Sequence, residues 1–184
     1  RNGVVIADLN GNDNLDFAFS DVLGDGRVVA CLGDGDGGSS SCNSFDVGDF
    51  PLGLAAGDVD GDGITDLATA DSTSNTATVL LGQGNGGFED GITLQMGNSP
   101  QRIAIADLDL DGFGDLVVTH SGDATVHVRL YDSEAGTFER ATVYDVEVGT
   151  PTDVVTADFN EDGALDIALG NESESTITLL LSDA

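Results

Sequence analysis

Short apolar runs punctuate the chain at a near-constant interval, each followed by a polar, glycine-bearing loop and a second apolar run. The first runs are Val4-Val5-Ile6-Ala7, Leu54-Ala55-Ala56-Gly57, Ile103-Ala104-Ile105-Ala106 and Val154-Val155-Thr156-Ala157. Four residues are too few for a packed helix, and β-branched side chains between glycine-rich flanks favour a buried strand. The residue that ends each run is small (Ala7, Gly57, Ala106, Ala157), which predicts a crowded place where sheets converge. The second runs begin at Asp16, Asp66, Asp115 and Asp166 and end on a polar residue: Asp21, Asp71, His120 and Asn171. A third strand is predicted over 27–32, 77–81, 125–131 and 176–181. Glycine-rich hairpin turns follow at 33–38 and 82–87, with a shorter one at 132–136, because glycine supplies the positive φ such turns need. A fourth strand is predicted to open near Phe45, Phe88 and Phe138 and to close at Gly48, Gly97 and Gly149. Pro51, Pro100 and Pro151 then stand seven residues ahead of the next loop, where proline is expected to stop pairing and turn the chain.

The loops between the first two runs start at Asp8, Asp58, Asp107 and Asp158, which lie 50, 49 and 51 residues apart. Self-similarity at that period marks a solenoid, propeller or other array, in which one unit cannot bury both its faces and neighbours must stack. Four short antiparallel strands per unit make one propeller blade. No capped segment of 3.6-residue periodicity is present. The chain is therefore read as all-β, a single domain over 1–184 with units of about 1–50, 51–99, 100–150 and 151–184.

Each loop carries oxygen donors at its first, third, fifth and ninth positions. They are Asp8, Asn10, Asn12 and Asp16; Asp58, Asp60, Asp62 and Asp66; Asp107, Asp109, Asp111 and Asp115; and Asp158, Asn160, Asp162 and Asp166. The carbonyl at the seventh position (Asn14, Ile64, Phe113, Ala164) is a further candidate donor. Alternate side chains converge on one centre if the backbone curls, and such an all-oxygen set suits Ca²⁺, which takes six to eight oxygens in flexible geometry; Mg²⁺ demands tighter octahedral geometry. Glycine at the sixth position (Gly63, Gly112, Gly163) permits the turn. The first loop has Asp13 there and neutral Asn10 and Asn12, so it is expected to bind most weakly. An EF-hand begins in the same way but requires an acid at position twelve and a following helix. Position twelve here is Phe19, Thr69, Val118 or Leu169.

Net charge is −29, with 34 acidic and five basic residues. Thirteen of the acids are loop donors, and four divalent ions would bring the charge to −21. Nucleic acid is excluded as a partner because nothing basic neutralises phosphates. No apolar run approaches the ~18 residues of a membrane span. Cys31 and Cys42 fit neither a zinc site nor a redox pair and flank a Gly/Ser-rich turn, so a local disulfide and two buried thiols both stand as readings. The chain opens at Arg1 directly before a strand, and the expectation is that processing or truncation removed what preceded it. His120 is expected on a solvent-facing rim and His127 within a third strand, neither in a catalytic role. Asn171-Glu172-Ser173 reads as a glycosylation site only in a eukaryotic secretory protein.

The D-x-[DN]-x-[DN]-G-x-x-D pattern between two strands, at this period and with the Phe…Gly…Pro approach, resembles the FG-GAP/VCBS repeats of integrin α-subunit-like β-propellers. The resemblance covers essentially the whole chain; it is closest in the second, third and fourth loops. It implies calcium in the loop joining the inner two strands of each blade, up to four ions in all. It implies an extracellular or cell-surface protein that is not an enzyme and recognises a protein or glycan ligand at the propeller rim. The alternative is a propeller fragment of a secreted hydrolase or lyase whose catalytic residues lie elsewhere. Such propellers are usually seven-bladed, so four units are expected to form an arc of a larger one, with a closed four-blade ring as the second option. An open arc would expose strand edges that invite self-association.

Overall fold

The computed structural model describes residues 3–23, 26–147 and 149–183, and among these it contains seventeen strands and no helix. The first blade comprises β1 (Val4–Ala7), β2 (Asp16–Asp21), β3 (Arg27–Gly33) and β4 (Ser39–Asp46), hydrogen-bonded in that order. The second repeats the order with β5 (Pro51–Gly57), β6 (Asp66–Asp71), β7 (Thr76–Leu80) and β8 (Ile92–Gln95). The third runs β9 (Pro100–Ala106), β10 (Asp115–His120), β11 (Thr125–Arg129) and, outermost, β14 (Thr142–Asp145). A two-stranded hairpin, β12 (Tyr131–Asp132) with β13 (Thr137–Phe138), interrupts its last connection. The fourth has three strands, β15 (Pro151–Ala157), β16 (Asp166–Asn171) and β17 (Thr176–Leu180). All pairings are antiparallel. The fold is a β-propeller arc of four blades.

Two sequence expectations need correction. The prolines do not stop pairing. Pro51, Pro100 and Pro151 are the first residues of β5, β9 and β15 and stand opposite Asp71, His120 and Asn171. The first position of a strand on a sheet edge is where a missing N–H does no harm. The aromatics do not open the fourth strand either. Phe88 bridges to Gly82, Phe138 closes the β12–β13 hairpin, and β8 and β14 begin four residues later; Phe45 lies near the end of β4.

The core lies between blades. β6 and β10 are buried on every residue, because a neighbour covers each face. β2 is buried only on alternate residues. Val28, Ala77 and Val126 occupy the same register position in successive blades and are fully buried, whereas their counterpart Ile177 is 75% exposed. At the other end, Val4 is 69% exposed while its counterparts Ile103 and Val154 are buried. The arc is thus open at both ends among the described residues. The small residue before the second loop has its expected cause. A Cβ on Gly57 would lie 2.9 Å from Ile105 Cγ2 of the next blade.

Cys31 and Cys42 are directly opposite on β3 and β4 and form a disulfide.

Candidate functional site

Each loop is folded by its own carboxylates. The first-position Asp accepts backbone N–H groups from inside the turn. Asp58 Oδ1 takes Gly61 N–H at 2.8 Å and Oδ2 takes Gly63 N–H at 2.9 Å. Asp8 does the same with Gly11 and Asp13, Asp107 with Asp111 and Gly112, and Asp158 with Asp162 and Gly163. The fifth-position side chains Asn12, Asp62, Asp111 and Asp162 accept the N–H of Asn14, Ile64, Phe113 and Ala164. Wrapping the chain this tightly requires left-handed backbone at two positions. The sixth was expected: Asp13, Gly63, Gly112 and Gly163 have φ of 65°, 82°, 93° and 97°. The fourth was not. Gly11 and Gly61 serve there, but so do Leu110 and Glu161, which hide the requirement from a reading of residue types.

The ninth-position Asp is buried in all four loops and ties the loop to the end of the third strand or the residues just beyond it. Asp66 Oδ2 accepts from Val59 N–H and Oδ1 from Gly82 N–H, both at 2.7 Å. Asp16 repeats this with Leu9 and Gly33, Asp115 with Leu108 and Tyr131, and Asp166 with Phe159 and Ser182. Two backbone donors per carboxylate explain why an acid is kept at a buried position.

Two loops draw three carboxylates together. Oxygens of Asp58, Asp60 and Asp62, and of Asp107, Asp109 and Asp115, lie within 4.8 Å of one another. Burial, then repulsion from Asp62 and Asp111 respectively, holds the carboxyls of Asp60 and Asp109 above the ordinary range. Burial pushes Asp66 and Asp115 up to about 6. In the fourth loop Asn160 donates its amide to Asp162 Oδ2 at 2.9 Å. In the first, Asn10 Oδ1 is buried without a hydrogen-bond partner. Among the described residues no basic side chain forms an ion pair with these acids. The one ion pair among the described residues, Arg27 with Asp46 at 3.2 Å, lies on β3 and β4, outside the loops. A cluster of like charges and an orphaned amide oxygen, all oxygen in composition, fits a hard cation.

The far ends of the second, third and fourth blades hold a second polar cluster that the sequence reading missed. Asp71 Oδ2 accepts from Thr78 at 2.7 Å and Thr76 at 3.2 Å, while Asn171 donates to Thr178 and Thr176. In the third blade His120 and His127 occupy the corresponding positions, with ring centroids 4.0 Å apart. His120 is fully buried, not on a solvent-facing rim as expected, and its Nε2 accepts Gly97 N–H at 3.1 Å. Burial, then the neighbouring His127, pushes it down to about 4. A polar residue thirteen positions after the loop start, followed by T-x-T or T-x-H, is the signal that was available.

Comparison with known proteins agrees with this architecture. The profile of the FG-GAP-like repeat matches residues 58–118 and 107–169. No curated protein matches the chain. Among solved structures, it is similar to BBS1N, solved in complex with ARL6DN after a lead soak, with a TM-score of 0.61 and 12% identity over 96% of this chain and 48% of that one. A protein from Lactobacillus plantarum matches with a TM-score of 0.61 and 18% identity over 97% and 54%. A protein of unknown function from Bacteroides caccae matches with a TM-score of 0.53 and 12% identity over 92% and 55%. The chain spans about half the length of these structures. At such identities the likeness shows the fold alone.

Proposed function

Because the chain belongs to the FG-GAP-like repeat family, we propose that its blade loops hold calcium and that the blades form a calcium-stiffened recognition module of a secreted or cell-surface protein. The observation that carries this reading is the convergence of Asp58, Asp60 and Asp62, and of Asp107, Asp109 and Asp115, with no cationic partner among the described residues. Asp8, Asn10, Asn12 and Asp16 would hold the ion of the first loop, and Asp158, Asn160, Asp162 and Asp166 that of the fourth. The seventh-position carbonyls of Asn14, Ile64, Phe113 and Ala164 complete the proposed donor sets. Bound calcium supplies positive charge that cancels the repulsion and fixes the turn joining the two inner strands. The module itself carries no catalysis in this reading, and a protein or glycan ligand is met at the rim. The Cys31–Cys42 disulfide supports an oxidising compartment.

The test is calorimetric titration of chelator-stripped protein with calcium, alongside thermal unfolding followed by circular dichroism. An ion that binds only the native state stabilises it by roughly 2.7 kcal/mol per site at a hundredfold excess over Kd. Expected are saturable binding of up to four ions and a melting temperature that rises with calcium and falls back in Asp109→Ala. A melt indifferent to calcium and chelator alike would sink the proposal. Recognition is tested separately, by screening the calcium-loaded protein against glycan and protein arrays.

A further inference from the structure

The second and third loops are bridged to each other in a way that no other neighbouring pair repeats among the described residues. Gly114 N–H donates to Val59 O at 2.9 Å. The acceptor stands between Asp58 and Asp60 and the donor directly before Asp115, so one bond joins the two carboxylate clusters. The approach requires glycine: a Cβ on Gly114 would lie 2.5 Å from Asp58 O and 3.1 Å from Val59 Cα. At that position the second and fourth loops carry Thr65 and Leu165, and among the described residues neither donates its N–H to the counterpart carbonyl, that of Leu9 or Leu108. Leu9 O takes the N–H of Gly86 instead, from the glycine-rich hairpin of the second blade.

A side chain makes the second bridge. Phe113, seventh in the third loop, lays its ring against Gly61, fourth in the second; a Cβ there would lie 3.0 Å from Phe113 Cε1. The counterpart Ile64 packs on Gly82 and Gly84 of its own blade, and Ala164 has no reach. The Phe113 ring also lies 5.7 Å from that of Tyr131, whose N–H donates to Asp115 Oδ1 at 2.9 Å. Ring, hydrogen bond and carboxylate thus form one connected contact from the third loop to the second.

Asp115 and the Phe113 carbonyl, on either side of Gly114, are proposed donors of the third loop. When that loop is filled they are held still, and with them the N–H on Val59 O and the ring over Gly61. The second loop then stands near its closed form before it is filled. A first ligand that orders what a second would otherwise have to order gives positive cooperativity without a change of shape. The opposing effect, a weaker negative potential at the empty loop, acts between largely solvent-facing charges and is screened over about 8 Å at physiological salt. Resting on the calcium reading above, we propose that the second and third loops are a coupled pair, in which filling either raises the calcium affinity of the other through the Gly114–Val59 bond and the Phe113 ring.

Gly11, Gly63, Gly112 and Gly163 each donate their N–H to the first Asp of their own loop, so their amides report the four loops separately. Chelator-stripped, isotope-labelled protein is titrated with calcium and these amides are followed by NMR. In the wild type Gly63 and Gly112 should shift together, along a curve steeper than independent binding. Asp109→Ala should weaken the second loop, read at Gly63, about fivefold or more, and Asp60→Ala should weaken the third, read at Gly112, by the same factor, because coupling is reciprocal. The midpoints at Gly11 and Gly163 should stay where they are in both variants. Phe113→Ala keeps the carbonyl donor and should shrink both factors towards one. The wild-type curves decide alone if a variant fails to fold. Independent wild-type curves, unequal or absent effects of the two Asp substitutions, or coupling undiminished in Phe113→Ala overturn the proposal while leaving calcium binding intact. Amides indifferent to calcium in every loop overturn both.

Discussion

Replacing Asp60 by Asn should stabilise the protein without calcium and destabilise it with calcium. Asp60 sits between Asp58 and Asp62 with carboxylate oxygens within 4.8 Å. At that separation each like-charge pair costs about 0.9 kcal/mol in bulk water, and salt at physiological strength reduces this to about half. Removing the central charge of three therefore relieves on the order of 1–2 kcal/mol. The fourth loop shows what the amide would do. Asn160, at the same position, donates to Asp162 Oδ2, and an Asn at position 60 has Asp62 to donate to in the same way. With calcium saturating, the variant loses a charged ligand, and up to the roughly 2.7 kcal/mol that a site contributes at a hundredfold excess is at stake. Urea unfolding of wild type and Asp60→Asn, in chelator and in calcium, measures both differences. Shifts of the same sign in the two buffers would falsify the argument, because a purely structural role for Asp60 cannot reverse with the ion.

His120 is held neutral, its folded value near 4 against an ordinary 6.5. Its contribution is fully present above pH 6.5 and is lost as pH falls towards 4, about 3 kcal/mol at most and shared with His127. Unfolding free energy measured from pH 7 to 4 should therefore fall more steeply for wild type than for His120→Asn, which copies the fourth blade. Reducing Cys31–Cys42 reopens a short loop and should lower stability by roughly 2–3 kcal/mol, read as the shift in denaturation midpoint with and without reductant. Phe138→Ala empties a blade junction and should cost about 3–5 kcal/mol, whereas Phe159→Ala, at a half-exposed site, should cost under about 1. Equal effects would contradict the placing of the core between blades.

Much of this was legible in the residues because the unit repeats. Four copies of a Val/Ile/Ala run, an Asp loop and a second run located β1, β5, β9 and β15 and their partners, and period-2 pattern is a local property. What was missed depends on neighbours. Phe88 and Phe138 looked like strand openers because each follows a glycine-rich or turn segment, yet their places are set by a cavity in the preceding blade. Pro51 looked like a stop because the pairing of its carbonyl side leaves no trace in residue type. His120 looked like a rim residue because Asp and Asn stand at its position in other blades; the hydroxyls of Thr76, Thr78, Thr176 and Thr178 that make those polar groups tolerable indoors lie on the next strand. Burial of the ninth-position Asp was equally hidden, since one of its two backbone donors lies beyond the following hairpin, near the end of the third strand.

The faces that one blade presents forwards and backwards use the same register positions at every junction. Energetically this makes the chain a one-dimensional stack with nearest-neighbour coupling, each added blade contributing one more junction. Length is then a free variable. A duplicated or deleted blade leaves every remaining contact of the same kind, so the number of blades can change without altering the junctions that remain. Opening should start at the two end blades, which have a single neighbour among the described residues, and amide protection should rise inwards towards β6 and β10, where both faces are covered.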